Sequence, residues 1–254
     1  MSEPVLTQSQ YSDDRHKTWQ FLYERQRDNL SGKASDIFLD GLTSMESLTS
    51  ATIPRVDAMA AQLGATSGWG LTIVPGLIAV EDFFALLARR KFCTSVWVRR
   101  ADQVDYIEEP DMFHDTFGHV PPLMNPAFAD FMQRFGEIGL ALSQSVQEDA
   151  EQRVLELQRL YWYFVEFGFV RAPGSDGAVA DRGGNALIIG AGLMSSFGET
   201  NHAWSLRHSL RPFDLAEIMA TPFITTEVQS TYFLINSIPE VIRDMDDWFD
   251  GLTL

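Results

Sequence analysis

The stretch Pro110-Asp-Met-Phe-His114-Asp-Thr-Phe-Gly118-His119-Val-Pro121 holds two of the chain's five histidines, five residues apart. Five residues of regular α-helix turn a side chain by about 500°, which leaves the two imidazoles roughly 140° apart. They converge on one ion only if the helix ends between them, and Gly118 with the prolines that follow favours such an end. Zinc proteases differ, since they have a spacing of four and a glutamate after the first histidine. The spacing alone therefore leaves a metal site and two unrelated histidines as open alternatives.

A second stretch, Tyr161-Trp-Tyr-Phe-Val-Glu166-Phe-Gly-Phe-Val170, sets one carboxylate among apolar side chains. Burying an unpaired charge costs on the order of several kcal/mol, so Glu166 is expected to have a cation, a proton or an arginine as its partner. A metal held by His114 and His119 would supply the cation. Two imidazoles and one carboxylate suit a non-haem Fe(II) ion that activates oxygen. The alternatives are a Glu166 side chain turned to solvent or paired with Arg159.

Arg99 and Asp111 form a candidate pair for binding a substrate carboxylate. Arg99 ends a predicted strand over 94–99, where its guanidinium could hold a carboxylate bidentately while Asp111 keeps it in place. A surface salt bridge is the commoner outcome for a single arginine. The run 190–199, Gly-Ala-Gly-Leu-Met-Ser-Ser-Phe-Gly-Glu, predicts a close-approach loop with two hydroxyls. Small residues often only allow helices to pack, so this run is weak by itself.

The composition indicates an acidic globular protein. The 254 residues include 19 basic and 35 acidic side chains, a net charge of −16, and 45% are hydrophobic. This balance argues against binding to nucleic acid or to an anionic membrane surface. The single cysteine, Cys93, excludes an intrachain disulfide and favours a reducing compartment, so a cytoplasmic location is expected. Cys93 is expected in the core, and His202 and His208 at the surface.

Hydrophobic periodicity and capping signals predict a mainly α fold with a few short β-strands in one domain, preceded by a flexible segment over residues 1–10. The predicted helices are one from Tyr11 with Asp13 or Asp14 as its N-cap, 35–48, one bracketed by Pro54 and Gly64, 80–91, 126–145 after Asn125, 149–168, one capped by Asp214, and 239–249. The predicted strands are 69–74, 94–99 and 186–190, with 222–235 extended and 172–185 a surface loop. No signal peptide and no apolar run near the roughly 18 residues of a membrane span is visible.

Three stretches, 110–121, 161–168 and 190–196, together resemble the pterin-dependent aromatic amino acid hydroxylases, and among these the compact bacterial members that act on phenylalanine. The resemblance extends from Tyr11 to about Phe233. It implies a single catalytic domain over 11–254 with the iron in a deep cleft. It also implies a monooxygenase that uses Fe(II), a tetrahydropterin and O2 to hydroxylate a free aromatic amino acid, most simply L-phenylalanine to L-tyrosine.

The resemblance also implies a role for individual residues. His114, His119 and Glu166 match the iron ligands, and no other catalytic residue is implied. The positions that match the pterin site are Gly76, Leu77, Ile78, Phe83, Asp115 and Tyr161. The positions that match the substrate site are Arg99, Pro110, Asp111, Trp162, Ser195 and Thr225.

Some positions depart from the family pattern. Ile189 stands where relatives often have tyrosine, the loop 171–185 is longer than usual, and Thr225 is not the usual residue of a phenylalanine enzyme. Tryptophan 5-hydroxylation and phenylalanine 3-hydroxylation therefore remain alternatives, as do, more remotely, a zinc hydrolase and a non-catalytic helical binding protein. Little chain follows Trp248 for the tetramerisation helix of animal relatives, so a monomer is expected.

Overall fold

The described part of the chain, residues 11–105, 107, 109–174 and 184–252 of a computed structural model, is mainly helical. The α-helices are α1 (Asp13–Leu30), α2 (Asp36–Ser44), α3 (Val56–Thr66), α4 (Val80–Ala88), α5 (Pro126–Ser143), α6 (Ala150–Leu160), α7 (Ala191–Ser195), α8 (Phe197–Ser205), α9 (Leu215–Ala220) and α10 (Ile238–Asp250). Short 3-10 turns lie at Ala101–Gln103, Pro121–Met124 and Arg207–Ser209. The prediction of a flexible segment over 1–10 lies outside the described residues, as does most of the predicted loop over 172–185.

Two helix starts are capped as the sequence predicts. Asn125 accepts a hydrogen bond from the backbone N–H of Phe128, and Pro126 takes the first helical position of α5. The Asp214 carboxylate accepts from the backbone N–H of Glu217 and so begins α9. Each cap fixes where a helix starts, and α5 in turn packs along α4 beside the region described below.

Two other helix boundaries were predicted wrongly. Ser12, rather than either aspartate after it, caps α1, since its hydroxyl accepts from the backbone N–H of Arg15. Gly64 lies within α3 and does not end it. The glycine that follows the end of this helix is Gly68, whose φ of 74° is the left-handed conformation that glycine adopts most easily.

Three elements are shorter in the structure than predicted. α2 ends at Ser44, and the next free N–H, that of Ser47, donates to the side chain of Gln62. α4 ends before Arg90, whose φ of 54° is left-handed. Of the extended run 222–235 only Phe233–Ile235 forms a strand, while residues 221–232 form neither helix nor strand.

The strands form two small sheets. β1 (Gly70–Ile73) pairs in parallel with β2 (Lys91–Thr94), and α4 connects them. The second sheet has the order β4-β3-β6-β5, with β3 (Phe169–Arg171) antiparallel to β4 (Ala186–Ile188) and parallel to β6 (Phe233–Ile235), and β5 (Arg211–Pro212) parallel to β6. The first sheet contacts the segment His114–Gly118 through β2, and the second contacts the segment Tyr161–Glu166 through β6.

The strand predicted over 94–99 is wrong in position, because β2 covers Lys91–Thr94 instead. The backbone N–H of Ser95 donates to the Asp115 carboxylate at 2.7 Å, and that of Arg99 to the Asp111 carboxylate at 2.8 Å. These acidic side chains therefore accept the backbone N–H hydrogen bonds that a neighbouring strand would otherwise have accepted. Residues 95–99 consequently lie against residues 111–115 rather than in the sheet.

The helix was predicted to end between the two histidines. In the structure it continues and widens into a π-helical turn, His114–Gly118. The helix predicted over 149–168 widens in the same way, because α6 passes into a second π-helical turn, Tyr161–Glu166. Hydrogen bonds in a π-helix run between residues five apart, so such residues lie on one side of the turn. Gly118 does not end the helix. It lets the turn approach α7, where an added Cβ would lie 2.8 Å from the Ala191 carbonyl oxygen.

The core surrounds these two turns. Phe113 and Phe117 stack at 4.8 Å, and Phe164 packs on Phe131 at 4.8 Å between the ring centroids. Buried aromatic rings of this size fix the backbone that carries them, because their displacement would open cavities. Among the described helices, none combines the length and the apolar character that crossing a bilayer requires.

Candidate metal centre

The two π-helical turns bring His114, His119 and Glu166 together. The Nε2 atoms of the two imidazoles lie 3.1 Å apart. The Glu166 carboxylate places Oε1 at 3.2 Å from His119 Nε2 and Oε2 at 3.7 Å from His114 Nε2. One ligand atom from each residue lies within 4.8 Å of the others, so a single ion between them could contact all three.

Ser195 fixes which nitrogen of His114 points to this centre. Its Oγ lies 2.9 Å from His114 Nδ1 and donates its own proton to the carbonyl of Ala191 at 2.9 Å. Because a hydroxyl has a single proton, Ser195 accepts the N–H of Nδ1. The lone pair of His114 is therefore on Nε2 and faces the other two side chains, the arrangement that orients histidine ligands in metal sites.

The Glu166 carboxylate is 14% exposed and is not paired with Arg159. Arg159 instead donates to the carbonyl of Met219, which excludes the ion pair kept open above. Burial alone would raise the pKa of Glu166, but the charge and hydrogen bond of His119, with help from His114 and Tyr161, lower it to about 2. Burial lowers the pKa of His114 to about 4. A carboxylate and a neutral imidazole are the forms that bind a cation.

These three residues lie in the wall of a cavity of about 290 Å³, at the low end of the size range for small-molecule sites. The other walls come from the segment after β1, from α4, from β2 and from Trp162 and Phe223. The cavity is therefore mostly apolar, and its polar lining comprises the two histidines and Glu166 together with Ser95, Asp115, Gln158 and the hydroxyl of Tyr161. A bound molecule would have water excluded from the side that faces the three ligands.

All six positions that match the pterin site line this cavity: Gly76, Leu77, Ile78, Phe83, Asp115 and Tyr161. The ring of Phe83 meets that of Tyr161 edge to face at 5.4 Å. Residues 75–78 make no hydrogen bond to any other residue that the structure describes, so their backbone groups can bind a ligand. Burial raises the pKa of Asp115 to about 6, although the Ser95 N–H opposes this shift.

The six positions that match the substrate site are less uniformly placed. Pro110 and Trp162 line the cavity, whereas Thr225 is exposed and is not among the described residues that line it. Arg99 and Asp111 form a buried bidentate pair, with Nε and Nη2 at 2.9 and 2.8 Å from the carboxylate oxygens. Asp111 also accepts from the backbone N–H of His114 at 3.0 Å, so one carboxylate holds both the arginine and the first histidine.

Arg99 lies 3% exposed and lines a separate surface depression, not the cavity itself. Its Nη1 makes no hydrogen bond to any residue that the structure describes, so this nitrogen is the one left for a ligand. Ser195, expected beside the substrate, contacts His114, and its role toward the substrate stays a prediction. The structure thus joins Arg99 to the metal centre through Asp111 and leaves Thr225 apart from both.

The sequence prediction missed several cavity residues. Phe223 stacks on Trp162, with ring centroids 4.5 Å apart, and nothing in the sequence around it signals this contact. Cys93, expected in the core, is half-buried and lines the cavity, where burial and the charge of Asp115 raise its thiol pKa to about 12. The signal for Cys93 was its place on β2, which runs past the site. His202 and His208 are exposed, as predicted.

The donor set fits iron. Two imidazole nitrogens and one carboxylate on one side leave the remaining positions of an octahedral ion open toward the cavity. A structural zinc site would instead be closed by four protein ligands. The aromatic walls and the unpaired backbone groups of 75–78 fit a flat heteroaromatic ring with hydrogen-bonding edges.

Comparisons with known proteins agree with this geometry. Residues 2–253 match the family described as biopterin-dependent aromatic amino acid hydroxylase. The chain is 40% identical over 242 residues to phenylalanine-4-hydroxylase of Ralstonia nicotianae, covering 95% of this chain and 71% of that protein. It is 39% identical over 232 residues to the enzyme of Chromobacterium violaceum, covering 91% and 72%.

Solved structures of the Chromobacterium violaceum enzyme resemble this chain throughout. The structure with bound iron(III) and oxidised 7,8-dihydrobiopterin has a TM-score of 0.81 and 35% identity, covering 98% of this chain and 87% of that one. The cobalt-bound structure has a TM-score of 0.83 and 34% identity, covering 100% and 90%. The likeness therefore includes the whole described fold around the three side chains.

Proposed function

Because the chain belongs to the family of biopterin-dependent aromatic amino acid hydroxylases, we propose that it is a monooxygenase that uses Fe(II), a tetrahydropterin and O2 to convert L-phenylalanine to L-tyrosine. The catalytic domain in this proposal covers residues 11–254. The observation that carries it is the convergence of two imidazole nitrogens and one carboxylate at an apolar cavity.

His114, His119 and Glu166 would hold the iron. When bound, the iron and the reduced pterin would together activate O2 for transfer of one oxygen atom to the substrate ring. Ser195 keeps the Nε2 lone pair of His114 directed to the ion, and Asp111 fixes the backbone of the same histidine. The protein thus supplies a preformed set of ligands that needs little rearrangement when the metal binds.

The pterin would lie between Phe83 and the backbone of residues 76–78, with Asp115 and Tyr161 near its edge. The apolar walls, which include Phe92 and Phe135, exclude water that would compete for the oxidant. Stacking on an aromatic ring and hydrogen bonding to backbone groups together suit a flat polar heterocycle. The support for this placement is that all six pterin positions line one cavity.

The amino acid would bind with its carboxylate toward Nη1 of Arg99 and its ring between Pro110 and Trp162. Asp111 occupies the other edge of the guanidinium, so the arginine has one fixed orientation. A ring held in one place beside the iron reacts at one carbon, because orientation contributes strongly to rate. We therefore propose para-hydroxylation, as the names of the relatives also suggest.

The test is reconstitution under anaerobic conditions with Fe(II), followed by a tetrahydropterin, air and each aromatic amino acid separately. We expect para-tyrosine from phenylalanine, one equivalent of pterin oxidised for each product formed, and no product when any component is omitted. Chromatography identifies the isomer. The variant H119A serves as the matched protein without one ligand.

Other outcomes would point elsewhere. Meta-tyrosine would indicate that the substrate ring binds with another carbon toward the metal, and hydroxytryptophan would show that tryptophan is the substrate. Tightly bound zinc with no pterin-dependent oxygen uptake would contradict the proposed activity and favour a hydrolase. Unchanged biological function in H114A would favour a binding protein.

A monomeric state and a cytoplasmic location complete the proposal. A net charge of −16 favours separate molecules, since like-charged proteins repel each other. A single cysteine suits a reducing compartment. Light scattering on a size-exclusion column and cell fractionation test the two statements.

A further inference from the structure

We propose that Gln229 positions the indole of Trp162 and thereby determines which ring carbon of the substrate faces the iron, an inference that rests on the proposed function. The two residues come from distant parts of the chain. Trp162 belongs to the π-helical turn Tyr161–Glu166, and Gln229 to the irregular segment 221–232 before β6. Trp162 Nε1 donates a hydrogen bond to Gln229 Oε1 at 3.0 Å.

The Gln229 side chain has a single orientation in this site. Its Nε2 donates to the carbonyl of Thr231 at 2.7 Å, so the oxygen of the amide is the atom that faces the indole. The hydroxyl of Tyr232 donates to the backbone carbonyl of Gln229 at 2.6 Å. The residue is buried, and a tryptophan N–H can only donate, so the two groups match in chemistry as well as in position.

Two aromatic rings hold the plane of the indole but not its rotation within that plane. Phe223 stacks on Trp162 at 4.5 Å with 15° between the planes, and Phe167 packs against it at 4.6 Å. Stacked rings slide and turn over one another at little cost, because the attraction has broad geometry. The hydrogen bond to Gln229 removes this freedom, and Trp162 lines the cavity beside Glu166.

A second bond ties the same segment to the same turn without touching the cavity. The hydroxyl of Tyr163 donates to the carbonyl of Pro222 at 2.7 Å, and the Tyr163 ring packs on Phe233. Tyr163 is not among the described residues that line the cavity. Between the two bonds Ile224 and Val228 are more than half exposed. Of the two hydrogen bonds seen between this segment and the turn among the described residues, only the one between Gln229 and Trp162 involves a side chain that lines the cavity.

The chain thus offers a matched pair of variants, Q229L and Y163F. Each removes one hydrogen bond between segment 221–232 and the π-helical turn. Only Q229L removes the acceptor of the indole N–H, whereas Y163F removes the bond to Pro222 and a contact of its hydroxyl with the Gln229 side chain but leaves that acceptor in place. Displacement of a reacting group by about 1 Å can cost as much as ~100-fold in rate, so a freed indole is expected to alter the product distribution.

The measurement is the ratio of para-, meta- and ortho-tyrosine, together with the product formed per tetrahydropterin oxidised, at saturating phenylalanine. In Q229L we expect the share of minor isomers to rise about tenfold and the coupling to fall at least about twofold, the scale of a modest misplacement. Y163F is expected to keep both at wild-type values. In the double variant Q229L/W162F the isomer ratio and coupling should differ from wild type no more than in W162F, because W162F already lacks the indole N–H that binds Gln229.

A second readout is independent of catalysis. The indole N–H resonance of Trp162 is assigned in 15N-tryptophan-labelled protein by its loss in W162F. We expect it to shift upfield in Q229L and to stay in place in Y163F. Wild-type isomer ratio and coupling in Q229L, or an equal change in Y163F, overturn the proposal.

The failure of the proposed function would look different. If the wild-type protein hydroxylates no aromatic amino acid, the activity assigned above is wrong. The indole N–H resonance then still tests the hydrogen bond between Trp162 and Gln229. An unchanged signal in Q229L would contradict that bond.

Discussion

The two ends of the cavity are built differently. At the metal end, His114 and Glu166 lie in π-helical turns, His119 directly follows the first of them, and further groups hold these ligands, such as Ser195 on His114 and Tyr161 on Glu166. At the other end, residues 74–79 form no helix or strand, and Leu77 is 79% exposed. The same contrast appears at the glycines, because a Cβ on Gly118 would meet backbone, whereas one on Gly76 would meet nothing within 4 Å.

This contrast indicates that the two ends of the cavity have different roles, one in holding the metal and the other in exchanging the pterin. A metal site gains affinity when its ligands are already in place, since nothing has to be ordered on binding. A site for an exchangeable cosubstrate needs a way in and out, and loosely held loops provide it. The metal end should therefore respond strongly to small changes, and the 74–79 loop weakly.

The largest effect is expected from Glu166→Gln. Loss of the anionic ligand should remove stoichiometric iron and reduce hydroxylation by more than the ~100-fold that changes around a ligand produce. Iron also stabilises the folded state by mass action, so its addition should raise the melting temperature of the wild-type protein only. Iron content by mass spectrometry and thermal melting with and without Fe(II) measure both.

Glu148→Gln provides the control for this change, because Glu148 is an exposed acid outside the cavity. It should retain wild-type iron content and melting behaviour. Iron binding and an iron-dependent rise in melting temperature that persist in Glu166→Gln would falsify the assignment of this ligand.

Ser195→Ala should weaken iron binding by roughly 10–100-fold, the usual effect of losing a group that orients a histidine ligand. The matched control is Ser143→Ala. Ser143 also donates to the carbonyl four residues before it, at 2.8 Å, but contacts no histidine. Competition with a calibrated chelator gives both affinities. Equal affinities in the two variants would contradict the role of Ser195.

Gly118→Ala and Gly76→Ala compare the two ends through one methyl group. The added Cβ at residue 118 forces backbone to move and should lower the free energy of unfolding by about 1–2 kcal/mol. At residue 76 the change should stay within about 0.5 kcal/mol, since the space is open. Urea unfolding without metal measures both. A larger loss at residue 76 would reverse the comparison.

The smallest effect is expected from Leu77→Ala. Its exposed side chain contributes little to stability, so the melting temperature should not change. If the loop covers the pterin, the KM for pterin should rise a few-fold while the KM for phenylalanine stays constant. Val146→Ala is the control, because Val146 is 95% exposed and lies outside the cavity. A KM for pterin equal in both variants would show that Leu77 takes no part in binding.

The fold could be predicted where local chemistry determines it. The caps at Asn125 and Asp214 were predicted correctly, because a short side chain bonding its own helix needs no distant partner. The strand over 94–99 was wrong because its backbone donors go to Asp111 and Asp115, which the sequence cannot place beside it. The π-helical turns were missed, since hydrogen bonds between residues five apart have no distinctive residue pattern.

The site was predictable in part for similar reasons. Burial of Glu166 among aromatic residues and the pair of histidines led to the right neighbourhood, and the three side chains do converge. Their role as iron ligands stays a prediction. The position of Thr225 and the contact between Trp162 and Gln229 depend on an irregular segment, whose course follows tertiary contacts and not periodicity.

The two widened turns also bear on how such a site could arise or disappear. A π-helical turn contains one residue more than the α-helical turn it replaces. The insertion of a single residue into an α-helix would therefore produce such a turn. Deleting one residue from His114–Gly118 would shorten the interval between the imidazoles while flanking segments kept their packing. A change of length in either turn should thus remove the metal site while the surrounding fold persists.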